Sequence, residues 1–242
     1  MKFVDIHCHI LPGVDDGARN EEETREMLKT AYEQGTRTIV ATPHYYPNVG
    51  ESRSYKIRSA YDATVAMAVG IDRNYQICLG AEILYNGQVT ADLRAQRVST
   101  LCQTSYVLVE FPGYVDFSYL CRAVQNLRTS GFWPVIAHIE RYRVLTGHPE
   151  RVLQLVDMGA RIQTNADAVC GKQGWNTKRF LHRLIRQKLV HVVATDGHGS
   201  RHRKPEMKKC ADYITRKYGA DVAERLCSLN PMRIVKGEYI LE

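Results

Sequence analysis

Six short apolar runs in this chain end in a histidine or a carboxylate, and that recurrence limits the possible folds more than any other feature. The opening run reaches His7-Cys8-His9, with Asp15 and Asp16 close behind. Thr38 to Thr42 leads to Pro43-His44, Tyr75 to Leu79 leads to Gly80-Ala81-Glu82, and Tyr106 to Val109 leads to Glu110. Trp133 to Ala137 reaches His138, with Glu140 and Arg141 following, and His191 to Thr195 reaches Asp196-Gly197-His198. The runs are rich in β-branched and aromatic residues, as strands are. Side chains alternate along a strand, so His7 and His9 share a face and Cys8 takes the other. Scattered surface polarity would not keep recurring at the C-terminal ends of strands. In a parallel barrel those ends gather on one face, and that face holds the active site.

Helix signals separate most of these runs. Asn20 is placed to cap a helix that starts with Glu21-Glu22-Glu23 and stops at Gly35. Further helices are expected over Tyr55 to Ala68, Tyr119 to Ser130, Pro149 to Met158, Trp175 to Lys188, Glu206 to Tyr218 and Asp221 to Leu229, with one more strand at Arg161 to Thr164. Strands alternating with helices predict an α/β fold with a parallel sheet. About seven strands favour a barrel over a doubly wound open sheet. A chain of 242 residues with 44% hydrophobic content can bury one large core, and no linker, repeat or low-complexity tract divides it. Residues 1–242 are therefore expected to form a single domain.

The first thirty residues lack an apolar signal region, and no apolar run is long enough to span a membrane. Seven cysteines without a CxxC pair read as reduced thiols, which suits a cytoplasmic protein. The net charge is +7, and 22 of the 33 basic residues are arginines, so an anionic partner is expected. Nucleic acid is not favoured, because the basic residues lack interleaved exposed aromatics or a docking motif. Arg141 lies three residues after His138 and Arg203 five after His198, which puts both in loops bordering the metal-type residues. A guanidinium fork holds two phosphate oxygens at once. Cys-x5-Arg occurs at Cys210–Arg216 and Cys227–Arg233, but neither has the glycines that would turn backbone N–H groups onto a phosphate. His148, His182, His191 and His202 read as surface or core histidines.

The phrases DIHCHILPGVDDGAR, TPH, GAE, VEFP, AHIERY and TDGH carry a resemblance that runs from Asp5 to Asn230-Pro231 and Gly237. The chain resembles the PHP phosphoesterases, named for polymerases and histidinol phosphatases. Within them it is most similar to the bacterial metal-dependent tyrosine-protein phosphatases of capsule and exopolysaccharide loci. That resemblance implies a distorted (β/α)7 TIM-like barrel and a cluster of two or three metal ions, manganese first, with iron or zinc as alternatives. It implies that His7, His9 and Asp196 hold one ion and that Glu82 bridges to a second completed by Glu110 and His138. Asp16, His44 and His198 would surround a third. Arg141 and Arg203 match the family's phosphate-holding arginines. The Tyr45-Tyr46-Pro47 segment departs from relatives that carry further basic residues there.

Phosphate monoesters resist hydrolysis because the dianion repels nucleophiles. Closely spaced divalent ions relieve that repulsion and activate water, and imidazole and carboxylate ligands without thiolates suit manganese, iron or zinc. The expected function is thus a metal-dependent protein-tyrosine phosphatase acting on a bacterial tyrosine autokinase. The alternative is a small-molecule phosphatase, such as one for histidinol phosphate, on the same cluster.

Overall fold

The structure is a computed structural model in which residues 1–46 and 51–240 are described, so Pro47 lies outside the described residues. Strands and helices alternate in the order β1 (Phe3–Cys8), α1 (Glu21–Glu33), β2 (Thr36–Ala41), β3 (His44–Tyr45), α2 (Glu51–Ile71), β4 (Gln76–Leu79), β5 (Glu82–Leu84) and α3 (Val89–Arg94). They continue as β6 (Tyr106–Glu110), α4 (Phe117–Thr129), β7 (Trp133–Ile136), α5 (Pro149–Asp157), β8 (Arg161–Asn165), α6 (Ala166–Cys170) and α7 (Trp175–Arg186). The chain ends with β9 (Val192–Ala194), α8 (Lys208–Tyr218), α9 (Ala220–Glu224) and α10 (Asn230–Lys236). Local chemistry explains the first helix. The Asn20 side chain accepts from Glu23 N at 3.0 Å, three glutamates occupy the first turn, and Gly35 follows the end with φ 100°.

All strand pairs are parallel, in the orders β1-β2-β4 and β3-β5-β6-β7-β8-β9. Thr42-Pro43 separates β2 from β3, where Pro43 has no N–H to give the ladder. Gly80-Ala81 separates β4 from β5. Hydrogen bonds still cross these breaks, from Gly80 N to Ala41 O at 2.8 Å and from Glu82 N to Pro43 O at 3.2 Å. On the other edge Asp196 N donates to His7 O and His9 N to Gly197 O, both at 2.8 Å, which lays the end of β9 against β1. The parallel sheet is thereby strongly curled, consistent with a TIM-like barrel.

Inside the curl, Val4, Ile6, Val40, Tyr106, Leu108, Val135, Val192 and Ala194 form one buried cluster. On the outer faces Cys8, Ile39 and Ala41 pack with Met27, Leu28 and Met67 of α1 and α2. Val107, Val109, Ile136, Ile162 and Val193 pack with Leu120, Leu155, Leu184 and Ile214 of the later helices. Each fully buried aliphatic side chain contributes about 1.5–3 kcal/mol, so the strand ends project from a well-anchored frame.

The C-terminal segment differs from its sequence reading. The helix expected to Leu229 narrows to α9, passes through a π turn at Arg225–Leu229 and continues as α10. Pro231 does not stop it; it stands directly after the π turn, where the hydrogen-bond ladder is already shifted. The five- and six-residue helices α6 and α3 are too short to show a periodicity. Among the described residues no helix is long and apolar enough to cross a membrane.

Candidate metal centre

Most site residues arrive by simple alternation. Val40 faces the interior, and His44 follows in phase; Leu108 leads to Glu110, and Val192 and Ala194 lead to Asp196. Two strands break the pattern. Ile6 lies inside while Cys8 packs outside, although two residues apart should share a face. Between the pairs Asp5↔Ile39 and Cys8↔Ala41, β1 spends three residues against two of β2. That bulge turns His7 and His9 inward. At β7, Val135 and Ala137 are the interior residues, and His138 joins them because its backbone is left-handed, φ 31° and ψ 60°. Gly17 lets the loop behind His9 close, since a Cβ there would meet His9 O at 2.1 Å. That closure brings Asp15 and Asp16 to the site.

The inner donor atoms form a compact set. His7 Nε2 lies 3.3 Å from His9 Nε2, 3.2 Å from Glu82 Oε2 and 3.3 Å from Asp196 Oδ1. His9 Nε2 is 3.1 Å from the same Glu82 oxygen and 3.6 Å from the Asp196 oxygen. Bonds of about 2.0–2.1 Å to a tetrahedral ion separate its donors by about 3.3–3.4 Å. The four residues are fully buried, and Asp196 Oδ1 has no hydrogen-bond partner. This donor set fits a metal ion.

Two further groups adjoin it. His44 Nδ1 lies 3.3 Å from Glu82 Oε2 and 3.2 Å from Glu110 Oε1, while His138 Nε2 lies 2.7 Å from Glu82 Oε1 and 3.7 Å from Glu110 Oε2. Asp16 Oδ1 is 3.3 Å from His44 Nε2 and 3.6 Å from His198 Nε2, with His9 in the same group. All nine candidate ligands named from the sequence thus converge. His44 faces two of the groups, one with each ring nitrogen, where sequence reasoning gave it only the group with Asp16 and His198.

Outer hydrogen bonds aim the rings. His9 Nδ1 donates to Asp15 Oδ2 at 2.8 Å, and His198 Nδ1 donates to the Asp196 carbonyl at 2.9 Å. His7 Nδ1 lies 3.2 Å from Gln163 Oε1, an oxygen that also accepts from His138 N at 2.8 Å. Each partner is an acceptor, so the proton stays on Nδ1 and the Nε2 lone pair faces the centre. Gln163 Nε2 continues to Asn165 Oδ1 at 2.9 Å, and Asn165 Nδ2 to Asp196 Oδ2 at 2.8 Å. Sequence reasoning missed Gln163, Asn165 and the role of Asp15. The signal was the two-residue spacing of the amides at the end of β8, the same spacing as His7 and His9.

Arg141 and Arg203 each donate an Nη2 hydrogen to Asp196 Oδ2 at 2.5 Å, with side chains 39% and 40% exposed. Arg203, like His138 and Asp196, has a positive φ, and such residues cost about 1–2 kcal/mol each. The field favours cations. Burial alone would keep His9 neutral, but Asp15 and Glu82 override it and raise its pKa to about 10. Burial likewise opposes ionisation of Glu82, yet His7, His138 and His9 hold it well below the usual carboxylate range.

The remaining histidines lie apart from these groups. His148 pairs with Glu150, His182 stacks on Tyr213, His191 is buried at the start of β9, and His202 is exposed. Cys8, Cys210 and Cys227 are buried. The Cys210 thiol is pushed well above its ordinary range by its contact with Cys170 and by burial, and burial raises Cys227 to about 12. Neither Cys-x5-Arg match supplies a nucleophilic thiolate.

The tyrosine-protein phosphatase CpsB of Streptococcus pneumoniae is 35% identical, across 98% of this chain and 100% of that protein. The tyrosine-protein phosphatase YwqE of Bacillus subtilis is 34% identical, across 91% and 87%. A crystal structure from work on YwqE and CpsB, described as metal-dependent tyrosine phosphatases, superposes with a TM-score of 0.90 at 32% identity, covering 98% of this chain and 96% of that one. Dihydropyrimidinase from Brevibacillus agri shares the fold alone, at a TM-score of 0.63 and 11% identity over 97% of this chain and 70% of that one. The family model for capsular polysaccharide synthesis, CpsB/CapC, matches residues 3–236, and on this match and these identities the chain belongs to the CpsB/CapC family.

Proposed function

We propose that this protein is a metal-dependent protein-tyrosine phosphatase that acts on a bacterial tyrosine autokinase controlling capsule or exopolysaccharide synthesis. The observation that carries the reading is the compact, fully buried donor set of His7, His9, Glu82 and Asp196, flanked by two more donor groups and two arginines. The names of its relatives support phosphotyrosine as the substrate. Counting β2 with β3 and β4 with β5 as interrupted single strands makes the frame a distorted (β/α)7 barrel, taken as one domain over residues 1–242. Seven free thiols suit a reducing cytoplasm.

His7, His9 and Asp196 would hold one ion, and Glu82 would bridge to a second held by Glu110 and His138. Asp16, His44 and His198 would hold a third. Nitrogen and oxygen donors without thiolate suit manganese, iron or zinc alike, and the family resemblance puts manganese first. Bound divalent ions supply charge neutralisation at the phosphoryl oxygens and activation of water. Asp196 Oδ2 steadies both guanidinium groups, whose remaining N–H donors would take phosphoryl oxygens and orient the phosphoryl group for in-line attack. Asp15, Gln163 and the Asp196 carbonyl hold the imidazole protons on the side away from the substrate. A phenolate leaving group, with a parent pKa of about 10, needs little protonation, so no separate general acid is required.

The test compares turnover of a phosphotyrosine peptide, histidinol phosphate and a phosphodiester, with elemental analysis of the same sample. The peptide is expected to be preferred, activity to vanish in chelator, and more than one ion to be present per chain. Much faster turnover of histidinol phosphate would favour the small-molecule reading. One ion or none in an active sample would overturn the cluster.

A further inference from the structure

A cavity of about 330 Å³ opens beside the metal centre. Arg141, Asn165, Thr195 and Arg203 line the side it shares with that centre. Its other walls carry Lys172, Lys204 and Lys209, which come from the turn after α6, the loop behind Arg203 and the first turn of α8. Two carboxylates, Asp167 and Glu206, also border it, so cations outnumber anions in its lining. Arg141 and Arg203 are already paired to Asp196. The three lysines form no ion pair among the described residues, although Lys208 beside them pairs with Asp212 at 2.7 Å. The excess positive charge is therefore concentrated where a group leaving the arginine clamp would pass next.

Resting on the phosphatase reading above, we infer that this cavity is a subsite for an anionic side chain that flanks the phosphotyrosine of a peptide substrate. The anion is a carboxylate or a second phosphoryl group, since both present oxygens to ammonium donors. A compact space of 330 Å³ is roughly 7 Å across, which an extended chain covers in about two residues. The flanking anion thus belongs one or two positions from the phosphotyrosine. The lysines do not touch the reacting phosphoryl group; they set which peptides bind.

The metal-loaded enzyme is assayed with p-nitrophenyl phosphate and with phosphotyrosine peptides flanked by alanine, by glutamate, by lysine or by a second phosphotyrosine. The wild type is expected to show a KM about fivefold lower for the glutamate-flanked than for the alanine-flanked peptide at similar kcat, the size expected of two exposed, salt-screened ion pairs. Lys172→Met/Lys209→Met should erase that difference and leave p-nitrophenyl phosphate kinetics unchanged. A further gain for the doubly phosphorylated peptide assigns the subsite to phosphate, and parity with glutamate assigns it to carboxylates. A KM independent of flanking charge, or a preference that survives the double substitution, overturns the subsite while leaving the phosphatase reading intact. Failure to hydrolyse p-nitrophenyl phosphate at all would overturn that reading, and the subsite with it.

Discussion

Strands β5, β6 and β9 carry Glu82, Glu110 and Asp196 to the centre in phase with their buried residues, whereas β1 and β7 deliver His7, His9 and His138 only through an irregular backbone. The regular strands need little beyond register, because period-2 alternation then places every second side chain inside, although Asp196 just past β9 also takes a left-handed backbone. The irregular ones need a bulge in β1 and a left-handed residue at 138. The lesson is that equivalent ligand positions rest on different physics, with backbone strain gathered at two left-handed residues, His138 after β7 and Asp196 after β9.

The largest expected effect tests whether the two routes end in equivalent ligands. Alanine at Glu82, and at His7 or His138, should abolish turnover of a phosphotyrosine peptide while circular dichroism stays near wild type. If His138→Ala keeps substantial activity where Glu82→Ala has none, the left-handed residue is not part of the ion-holding set.

The next effect concerns what keeps a regular strand in register. His191 immediately precedes β9, accepts from Ile162 N through Nδ1 at 3.1 Å, and donates its own N–H to Ile162 O at 3.0 Å. Burial, with Arg161 and Arg225 nearby, lowers its pKa to about 3. A histidine with a depressed folded-state pKa contributes stability that is intact above about pH 6.5 and is lost as pH falls toward 3. The full span corresponds to roughly 4–5 kcal/mol. Urea midpoints measured from pH 7 to pH 4 should fall more steeply for the wild type than for His191→Asn. Parallel curves would show that another group dominates acid sensitivity.

A smaller effect isolates the irregular strands. Gln163 Oε1 meets both His7 Nδ1 and His138 N, one residue from each irregular strand. Gln163→Leu should weaken metal binding by about 10- to 100-fold, as loss of an outer-shell partner does. Chelator competition measures this directly, and an unchanged midpoint would mean that the bulge and the left-handed turn hold without it.

The smallest effect separates the two routes by sign. In metal-free protein, His138→Gly should be about 1 kcal/mol more stable than His138→Ala, because glycine accepts φ 31° without strain. Glu82→Gly should instead be about 0.5–1 kcal/mol less stable than Glu82→Ala, since glycine weakens a regular strand. The same sign at both positions would remove the distinction.

Much of the site was legible because its chemistry is local. A histidine or carboxylate after an apolar run reports a strand end, and Asn20 with its three glutamates reports a helix start. Gln163 and Asn165 were passed over because amides ligate weakly, so the two-residue spacing they share with His7 and His9 at a strand end was not read as a site signal. The helix expected to end at Leu229 runs on past Pro231, a continuation that depends on the preceding π turn. The sequence by itself determined which residues could serve as donors, the α/β alternation and the presence of two arginines beside the strand ends. Only the tertiary structure decided that His44 faces two donor groups, that Gln163 serves two strands and that His7 and His138 point inward. The physical reason is range. Alternation and capping act between neighbours in the chain, whereas a bulge, a left-handed turn and donor separations are imposed by pairing and packing against strands far away in sequence.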